Sequence, residues 1–451
     1  KESQVIKIYD TMTRSLRDFV PLTENVVNMY VCGPTVYNYI HIGNARSAVA
    51  FDTIRRYFEY CGYTVNYISN FTDVDDKIIK AANEAGISTK ELSDKFIAAF
   101  MEDTGQLGIK PATQNPRVIN YMDEIIAFVS TLVDKGFAYV SEGDVYFRVA
   151  KSNNYAKLAN KTLEDLEIGA SGRTDAETER KENPLDFALW KAAKEGEVSW
   201  DSPWGPGRPG WHIECSVMAT EILGDTIDIH GGGADLEFPH HTNEIAQSEA
   251  KTGKTFANYW MHNGFVNVDN EKMSKSLGNF VTVHDMLQTV DGQVLRFFLA
   301  TQQYRKPINF TEKAIHDAEV NLKYLKNTHS LPLTEQVNQA ELQTYLDAFQ
   351  EAMDDDFNTA NGVTVLFDMA KWINSGNYDQ TVKDAFEKML QVFGIVFEEE
   401  VLDEDIEKLI EERQAARANK DFATADRIRD ELAAQGIKLL DTKEGVRWTR
   451  D

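Results

Sequence analysis

The chain has 451 residues, of which 42% are hydrophobic and 26% charged, a composition typical of a globular protein with about two to four domains. It contains no run of about 18 uncharged apolar residues and no apolar signal core in its first residues, so we expect a cytoplasmic protein that does not enter a membrane. Three cysteines are too few for a disulfide framework and suit a reducing compartment, and the net charge of −25, taken alone, argues against a nucleic-acid partner.

The first predicted elements form a βαβ unit. Residues 25–31 are rich in β-formers and run into a CGP loop that begins at Cys32, which predicts a buried strand. After a HIGN turn that begins at His41, apolar residues recur at helical spacing, and residues 64–68 predict the next strand. Because ligands bind beyond the carboxyl ends of parallel strands, we expect Cys32 and His41 at the same edge of the sheet.

A second α/β block follows an insertion. Residues from about 120 to 200 interrupt the pattern with a helical start and an aromatic strand pair between 137 and 149. The next predicted strand, 226–230, opens onto a run of three glycines and then Asp235. Glycines at a strand end let a ligand approach bare backbone, although a tight turn is the alternative interpretation.

The C-terminal third is predicted to be helical almost throughout, because apolar residues beyond Phe310 recur at three- and four-residue steps; they are Leu322, Leu325, Leu342, Leu346, Phe349 and Met353. Its charge is uneven. Residues 398–412 hold nine acids and one lysine, a net charge of −8, whereas residues 413–451 hold nine bases and seven acids, a net charge of +2. A C-terminal tail with a small net positive charge, which follows an acidic segment, is compatible with a polyanionic partner.

Residues of the types that bind zinc occur at the ends of predicted elements. PHHTNE begins a predicted helix at Pro239 and places His240 and Glu244 one turn apart on one face. Cys215 begins another helical segment, and Cys32 follows the first buried strand. Two thiolates, an imidazole and a carboxylate suit zinc. Their wide separation in sequence excludes a local zinc finger, and a surface ion pair with two buried free cysteines is the alternative.

A lysine-rich loop follows a predicted strand and turn at 266–271. Its sequence is KMSKSLGN, and Lys272 and Lys275 among small hydroxyl residues can close over phosphates as point charges. A solvated surface loop is the alternative for this string alone. Because the loop occurs in the same sequence as the HIGN turn, nucleotide binding is the more specific interpretation.

The two signatures together resemble those of class I aminoacyl-tRNA synthetases, and the chain resembles the cysteinyl-tRNA synthetase family nearly from end to end. The strings that carry the resemblance are YVCGPTVY (30–37), FTDVDDKI (71–78), GWHIEC (210–215), the segment 230–247, YWMH (259–262), KMSKSLGNF (272–280), DDDFNT (354–359) and KDFATADRIR (420–429).

Together with the element pattern, the resemblance implies an α/β fold, with a Rossmann-like parallel-sheet catalytic domain split by an insertion and followed by a mostly α-helical C-terminal region. The predicted domains are the first catalytic half (1–119), a connective insertion (120–200), the second catalytic half with zinc-site residues (201–265), a segment with the KMSKS loop and a stem-contact fold (266–312), a helical bundle (313–400) and a small anticodon-binding domain (401–451).

The resemblance implies one zinc ion bound by Cys32, Cys215, His240 and Glu244, with the thiolate of the substrate cysteine as a further ligand. Thiolate is a soft ligand that zinc holds well, whereas the serine hydroxyl binds weakly, so no editing domain should be necessary. Metal binding should also lower the pKa of the substrate thiol, so that it binds deprotonated near neutral pH.

The resemblance also implies the remaining site residues and the reaction. ATP, with Mg²⁺, is the second substrate; the cysteine carboxylate attacks its α-phosphate, and the adenylate passes to the terminal ribose of tRNA(Cys). Trp211 is expected to close the floor of the amino-acid pocket, with a core aromatic as the alternative. The expected residues are Gly33, Thr35, Thr72 and Trp211 for cysteine; His41, Gly43, Asn44, Gly231, Gly232, Gly233, Asp235 and Lys275 for ATP; and His41, Lys272 and Lys275 for catalysis.

The sequence departs from the family pattern at two positions. Asn44 ends the HIGN turn where the usual signature has histidine; it keeps a hydrogen-bonding side chain and suits a helix start, so we interpret HIGN as an active variant. Thr242 stands where the family usually has glutamate, beside an expected metal ligand. We expect a monomer whose tRNA contacts include basic residues of the C-terminal tail, Arg413, Arg417, Arg427 and Arg429.

Two other functions are kept as alternatives. A related ligase joins activated cysteine to an amino sugar in mycothiol synthesis, but it lacks the long C-terminal region that this chain has beyond Phe310. A non-catalytic zinc protein that binds RNA would have no use for the lysines of a loop that stabilises pyrophosphate. Cysteine-dependent exchange of pyrophosphate into ATP separates the enzymes from such a binding protein.

Overall fold

The computed structural model describes residues 4–170, 178–274, 276–398, 403–443 and 445–450. The strands are β1 (Lys7–Asp10), β2 (Ser15–Asp18), β3 (Val26–Val31), β4 (Thr64–Ser69), β5 (Ala138–Ser141), β6 (Asp144–Phe147), β7 (Phe187–Ala192), β8 (Gly207–Pro209), β9 (Ile227–Gly233), β10 (Ala257–Asn263), β11 (Val266–Val268), β12 (Glu271–Lys272), β13 (Ile308–Phe310), β14 (Ile437–Thr442) and β15 (Gly445–Arg450). The α-helices are α1 (Ile42–Tyr60), α2 (Asp76–Ala85), α3 (Thr89–Gln106), α4 (Met122–Asp134), α5 (Leu163–Ala170), α6 (Ile213–Leu223), α7 (Thr242–Thr252), α8 (Val283–Met286), α9 (Gly292–Ala300), α10 (Glu312–His329), α11 (Gln339–Asp354), α12 (Thr359–Asn374), α13 (Gln380–Val392), α14 (Asp403–Ala418) and α15 (Phe422–Ala434).

The chain divides into two compact units. The larger unit comprises Lys1–Leu325 and Leu333–Ile395, and the smaller one comprises Lys326–Pro332 and Val396–Asp451. Among the described residues, no helix is long and apolar enough to cross a membrane.

A four-stranded parallel sheet in the order β10-β9-β3-β4 is the centre of the larger unit. Helix α1 connects the neighbouring strands β3 and β4, so the predicted βαβ unit and the predicted fold class are both confirmed. Val27, Met29 and Ile229 are fully buried, as expected of a parallel sheet that is covered on both faces. The carboxyl ends of these strands lie at one edge, where the residues that follow β3 and β9 meet.

The glycines of residues 231–233 continue strand β9, so the prediction that the strand ends at His230 is wrong. Gly231 pairs with Val31 of β3 and with Met261 of β10. A Cβ atom at Gly231 would lie 2.4 Å from the ring of Phe51 in α1, so glycine is what allows the helix to lie this close to the sheet.

Helix α7 begins at Thr242, and the prediction that it begins at Pro239 is wrong. Residues 237–241 form a short π-helical turn in which Phe238 has extended backbone angles, φ −142° and ψ 132°. The residue before a proline is biased towards this extended region, and regular α-helical hydrogen bonding begins only after the π-helical turn. His240 and Glu244 nevertheless meet, with Nε2 and Oε2 3.3 Å apart.

The segment between the two halves of the parallel sheet forms an antiparallel sheet in the order β5-β6-β7-β8. The predicted aromatic strand pair corresponds to β5 and β6, and the sheet continues past residue 200 to β8. Phe147, Leu189 and Trp190 belong to the same hydrophobic core as Trp260 of β10. This segment therefore shares its core with the parallel sheet.

A small three-stranded sheet in the order β12-β11-β13 follows β10. Strand β11 is parallel to β13 and antiparallel to β12. Because β12 ends at Lys272, this sheet carries the start of the lysine-rich loop.

Helices α11, α12 and α13 lie in succession in the larger unit. Leu342, Phe349 and Met353, all members of the predicted apolar stripe of α11, are buried. Leu366 of α12 and Phe386 of α13 are buried as well, which is the pattern of a helical bundle.

The smaller unit contains α14, α15 and the antiparallel hairpin β14-β15. Its hydrophobic core consists of Ile406, Ile410, Ile428, Leu432 and Ile437. The prediction of helices almost throughout the C-terminal third is wrong for this hairpin. Strand β15 alternates exposed and partly buried residues, a two-residue period that leucine spacing does not reveal.

A buried ion pair joins α1 to α9 in the larger unit. Arg296 is fully buried and donates from Nη1 to Asp52 at 2.7 Å and from Nε to the carbonyl oxygen of Phe393 at 2.8 Å. Arg56 donates to the same carboxylate at 2.8 Å. Burial acts to raise the pKa of Asp52, but the charges of the two guanidinium groups outweigh it and hold that pKa below 3.8. Arg296 therefore connects α1, α9 and the end of α13.

Replacing Arg296 by methionine should lower the free energy of unfolding by about 3 kcal/mol, because a buried carboxylate loses one of its two cationic partners. Urea denaturation measures the change. The control is Lys90→Met, which removes an exposed pair with Asp94 and should cost less than about 1 kcal/mol. Equal costs for the two variants would contradict a structural role for the buried pair.

Candidate functional site

A cavity of about 650 Å³ lies at the carboxyl-terminal edge of the parallel sheet. Most of the residues predicted to bind substrates form its wall. They are Cys32, Gly33, Thr35, His41, Gly43, Asn44, Thr72, Trp211, Cys215, Gly233, Asp235, His240 and Lys272. Gly231, Gly232 and Glu244 are not part of the wall, and Lys275 lies outside the described residues.

Four side chains that can bind a metal converge on one side of the cavity. Cys32 follows β3, Cys215 lies in the first turn of α6, His240 precedes α7, and Glu244 lies in the first turn of α7. One possible ligand atom from each lies within 4.8 Å of the others. The Sγ atom of Cys32 is 3.6 Å from Sγ of Cys215, 3.5 Å from Nε2 of His240 and 3.7 Å from Oε2 of Glu244. The fold thus brings together residues that are far apart in sequence.

Burial disfavours charge on these groups. It raises the pKa of Glu244 and of Cys32 well above their ordinary values, and it lowers the pKa of His240. Burial therefore favours the neutral forms of the Glu244 carboxyl and the Cys32 thiol. A divalent cation would stabilise carboxylate and thiolate and reverse this preference, so the donor set fits a metal ion on chemical grounds.

Buried histidines that the sequence analysis missed surround this cluster. Nε2 of His230 lies 2.8 Å from Oε1 of Glu244, and Nδ1 of His212 lies 3.0 Å from Nδ1 of His240. Burial lowers the pKa of His230 and of His212 to about 3, so both rings are neutral at pH 7. The signal that could have revealed His230 is its place near the end of a parallel strand, at the edge where Cys32 also lies.

The backbone beside Cys32 allows no side chain at Gly33. The Gly33 N–H donates to Oδ1 of Asn70 at 2.9 Å, and a Cβ atom there would lie 1.7 Å from the Asn70 carbonyl oxygen. The Asn70 amide nitrogen in turn donates to the Thr72 hydroxyl at 3.1 Å. Thr72 also forms a parallel bridge with Thr35, so three of the four residues predicted to contact cysteine, Gly33, Thr35 and Thr72, are connected through Asn70 and this bridge.

Trp211 stacks on His240, with ring centroids 4.3 Å apart and planes 18° from parallel. Its side chain is 44% exposed, so the alternative interpretation of Trp211 as a core aromatic is wrong. The indole therefore covers one of the possible metal ligands at the cavity wall.

The HIGN turn forms a reciprocal cap at the start of α1. The Asn44 N–H donates to Nδ1 of His41 at 3.2 Å, and the His41 N–H donates to Oδ1 of Asn44 at 3.1 Å. Two such bonds satisfy N–H groups that have no partner within the helix. Asn44 therefore stabilises the helix start, as the sequence predicted, and the cavity wall includes both residues.

Comparison with protein families defines the class of the chain. The model for the catalytic domain of class I (C) tRNA synthetases matches residues 18–320, the model for the DALR domain matches 348–398, and the model for the cysteinyl-tRNA ligase anticodon-binding domain matches 399–448. The largest match covers the whole parallel sheet and the residues of the cavity wall, so the fold is that of a class I tRNA synthetase.

Similar full-length proteins make the assignment more specific. The chain is 95% identical to a cysteine–tRNA ligase of Streptococcus thermophilus, and 84% identical to one of Streptococcus pyogenes. Each alignment covers 99% of this chain and 100% of the relative. The chain belongs to the cysteine–tRNA ligase family.

A solved structure at low identity shares the fold. A methionyl-tRNA synthetase of Mycobacterium tuberculosis, in complex with methionyl-adenylate, superposes with a TM-score of 0.60 at 16% identity, covering 82% of this chain and 89% of that one.

Cys61 lies outside the cavity wall, at the end of α1. It is partly buried, and burial raises its pKa from 9.0 to about 11. Gln4 donates a hydrogen bond to its sulfur at 3.2 Å. The interpretation of Cys61 as a free cysteine apart from the possible metal ligands agrees with this placement.

Cys61 should react slowly with iodoacetamide, because the thiolate is the reactive form. At pH 8 a pKa of about 11 gives about a hundredfold less thiolate than the usual value. The alkylation rate should then rise about tenfold per pH unit up to pH 10. Site-resolved mass spectrometry after timed alkylation measures this, with glutathione as the reference thiol. A rate equal to that of glutathione at pH 8 would contradict the burial of this thiol.

Proposed function

We propose that the chain activates L-cysteine with ATP to cysteinyl-adenylate and transfers the cysteinyl group to tRNA(Cys), and that one zinc ion selects the substrate thiolate. The observation that carries the proposal is a cluster of four donors beside a cavity that the HIGN turn also lines, in a chain of the cysteine–tRNA ligase family. The four donors are Cys32, Cys215, His240 and Glu244.

The spacing of the donor atoms supports a tetrahedral zinc site. Zinc bonds of about 2.0–2.3 Å imply distances of about 3.3–3.8 Å between neighbouring ligand atoms in a tetrahedron. The two sulfur atoms are 3.6 Å apart, Cys32 Sγ is 3.5 Å from His240 Nε2, and His240 Nε2 is 3.3 Å from Glu244 Oε2. The side chains therefore fit zinc with little movement.

A second set of possible donors shares two residues with the first and consists of Cys32, His230, His241 and Glu244. It offers one thiol instead of two and would leave the buried Cys215 without a role. Nε2 of His230 already lies 2.8 Å from Oε1 of Glu244, which suits a residue that orients a ligand from outside. These points favour the first set.

The residues around the cluster explain how cysteine would be held. When bound, zinc supplies a soft Lewis acid that binds the substrate sulfur far better than a serine hydroxyl. Gly33 and Thr72 line the adjacent wall and would fix the position of the amino acid. Trp211, stacked on His240, would exclude water from that side.

On the ATP side, the proposed roles fall to the HIGN turn, the glycines of β9 and the lysine loop. His41, Asn44 and the backbone of Gly43 and Gly233 line the cavity and would hold the nucleotide, with Asp235 beside them. In the proposed step the cysteine carboxylate attacks the α-phosphorus, the bond to pyrophosphate breaks, and Lys272 and Lys275 share the departing charge with Mg²⁺. Such a reaction depends chiefly on positioning and charge stabilisation.

The C-terminal regions support tRNA as the acceptor. The anticodon-binding family model matches 399–448, close to the proposed anticodon-binding domain at 401–451, and the proposed helical bundle at 313–400 includes the match to the DALR domain. An amino-sugar ligase has no use for an anticodon-binding domain. We also propose that the enzyme acts as a monomer.

With a net charge of −25, the chain must meet tRNA phosphates through local basic patches, and binding should weaken strongly with salt. Arg413, Arg417, Arg427 and Arg429 are the proposed contacts. Arg427 and Arg429 pair with the exposed acids Glu431 and Asp426, so they would have to exchange these partners for phosphate.

The purified protein should hold about one zinc ion per chain, and Cys215→Ser and His240→Ala should each lose most of it, since each removes a ligand. His241→Gln is the matched control, because His241 belongs only to the second donor set. This variant should lower the affinity for zinc by no more than about tenfold. Metal analysis after dialysis against a chelator measures retention. Loss of zinc from His241→Gln with retention in His240→Ala would show that the second set is the ligand set.

The wild-type chain should exchange pyrophosphate into ATP with cysteine, and serine should be at least about ten thousand times less effective, because a site built for one polar group strongly rejects an analogue that leaves its partners unpaired. Comparison of kcat/KM for the two amino acids in the exchange assay measures this. Cys215→Ser should lose cysteine activation. Serine activity within a hundredfold of cysteine would exclude selection by a metal–sulfur bond.

A further inference from the structure

Two joints connect the lysine loop (residues 272–280, with Lys275 outside the described residues) to the first helix of the site. One joint is formed by Arg46, two residues past the HIGN turn. We propose that Arg46 is a positioning residue for ATP activation, because its guanidinium group binds the base of the small sheet that carries the loop. The inference rests on the proposed function and assigns one of its geometric requirements to a residue outside both signatures.

Arg46 is 1% exposed and donates to three backbone carbonyl oxygens. Nη1 lies 2.7 Å from the oxygen of Lys306 and 3.1 Å from that of Gly264, and Nη2 lies 3.0 Å from that of Gln303. Gly264 separates β10 from β11, and residues 303–306 separate α9 from β13. Arg46 therefore holds the start of both parallel strands of the small sheet.

The side chain chemistry indicates why arginine occupies this position. Burial alone lowers the pKa of Arg46 to about 10, so the group remains charged at pH 7, and the contacts given above are to carbonyl oxygens of the main chain. A charged group buried without an anion is costly, and an apolar side chain would fill the same space at lower cost. What guanidinium adds is a rigid fork that can bind two chain segments at once.

The joint leaves little room for adjustment at Gly264. Its N–H donates to the carbonyl oxygen of Tyr304 at 2.8 Å. A Cβ atom at this position would lie 2.6 Å from the carbonyl carbon of Lys306 and 2.7 Å from the oxygen of Arg305. The turn at residues 303–306, which Arg46 binds, is therefore packed directly against Gly264.

The second joint holds the far end of the loop. The Ile42 N–H donates to the Val281 oxygen at 3.0 Å, and the Val283 N–H donates to the Ile40 oxygen at 3.0 Å. Between the joints, the ring of Phe280 lies 5.1 Å from the ring of His41. Both ends of the loop are thus fixed to the segment 40–46.

This arrangement determines where Lys272, at the start of the loop, lies relative to the HIGN turn. Arg46 binds the carbonyl groups at the base of β11 and β13, which pair with each other. Strand β11 also pairs with β12, and β12 ends at Lys272. A displacement of about 1 Å at such a remote joint can reduce a rate about a hundredfold when the chemistry depends on positioning. Loss of the joint should therefore affect the chemical step and spare the cysteine pocket.

The test compares Arg46→Met, Arg46→Lys and Arg55→Met in the full chain, using cysteine-dependent pyrophosphate exchange. Arg46→Met should lower kcat about a hundredfold and leave the KM for cysteine within about twofold, because only the loop moves. Arg46→Lys should have a kcat about tenfold higher than that of Arg46→Met, since its ammonium group can bind some of the three carbonyl oxygens. Arg55→Met is the matched control: Arg55 lies on the same helix and donates to the Pro111 carbonyl oxygen and to Glu59, which belong neither to the loop nor to the strands that carry it.

Gly264→Ala tests the same joint without removing a charge, should Arg46→Met fail to fold. It should also lower kcat and spare the KM for cysteine. Unchanged kcat in folded Arg46→Met, or a fall that Arg55→Met matches, would overturn the proposal. So would parallel losses of thermal stability, kcat and cysteine affinity in Arg46→Lys and Gly264→Ala. If the wild-type chain shows no cysteine-dependent exchange, the proposed function itself fails, and the two failures are thereby distinguished.

Discussion

The burial of acidic and thiol groups at the edge of the parallel sheet is the constraint on which the rest of the site depends. Glu244 is fully buried with Cys32 and Cys215 close by, and burial raises the pKa of the carboxyl group well above its ordinary value. Such a cluster is unfavourable as a set of anions unless a cation shares it. The donors come from β3, α6 and α7, so an ion at this point would also hold the two halves of the catalytic fold together.

The same sheet edge brings the two substrate regions into one cavity. The register that pairs Tyr30 with His230 places the residues after β3 beside the glycines of β9. Helix α1 lies against those glycines through Phe51, and its first turn carries His41. The proposed cysteine and ATP sides of the cavity therefore depend on one backbone arrangement.

The fold elements predicted correctly from sequence are those with local signals, since strand and helix periodicity predicted the βαβ unit. Family strings named Cys32, Cys215, His240 and Glu244 as zinc ligands; the fold brings these four side chains together, and their role as ligands stays a prediction. Sequence spacing alone could not show their convergence, because it depends on long-range strand register. Helix α7 starts later than predicted because residues 237–241 form a π-helical turn, which the spacing of residues in the sequence does not reveal.

The buried polar residues were missed for a different reason. Arg46 and Arg296 bind main-chain carbonyl groups that lie far along the chain, and such partners leave no pattern near the arginine itself. His230 was read as part of a strand end, whereas its contact with Glu244 depends on the packing of α7 against the sheet. The C-terminal hairpin was missed because β15 alternates exposed and partly buried residues with a two-residue period, which the three- and four-residue steps of a helical pattern do not reveal.

The reciprocal cap at the start of α1 also decides which tautomer His41 adopts. Because Nδ1 accepts the N–H of residue 44, the proton of the neutral ring must reside on Nε2. The imidazole therefore offers a donor, and not a lone pair, on its opposite side. Since the bond that imposes this comes from the main chain, exchanging the last side chain of the signature for asparagine leaves the imidazole in the same protonation pattern.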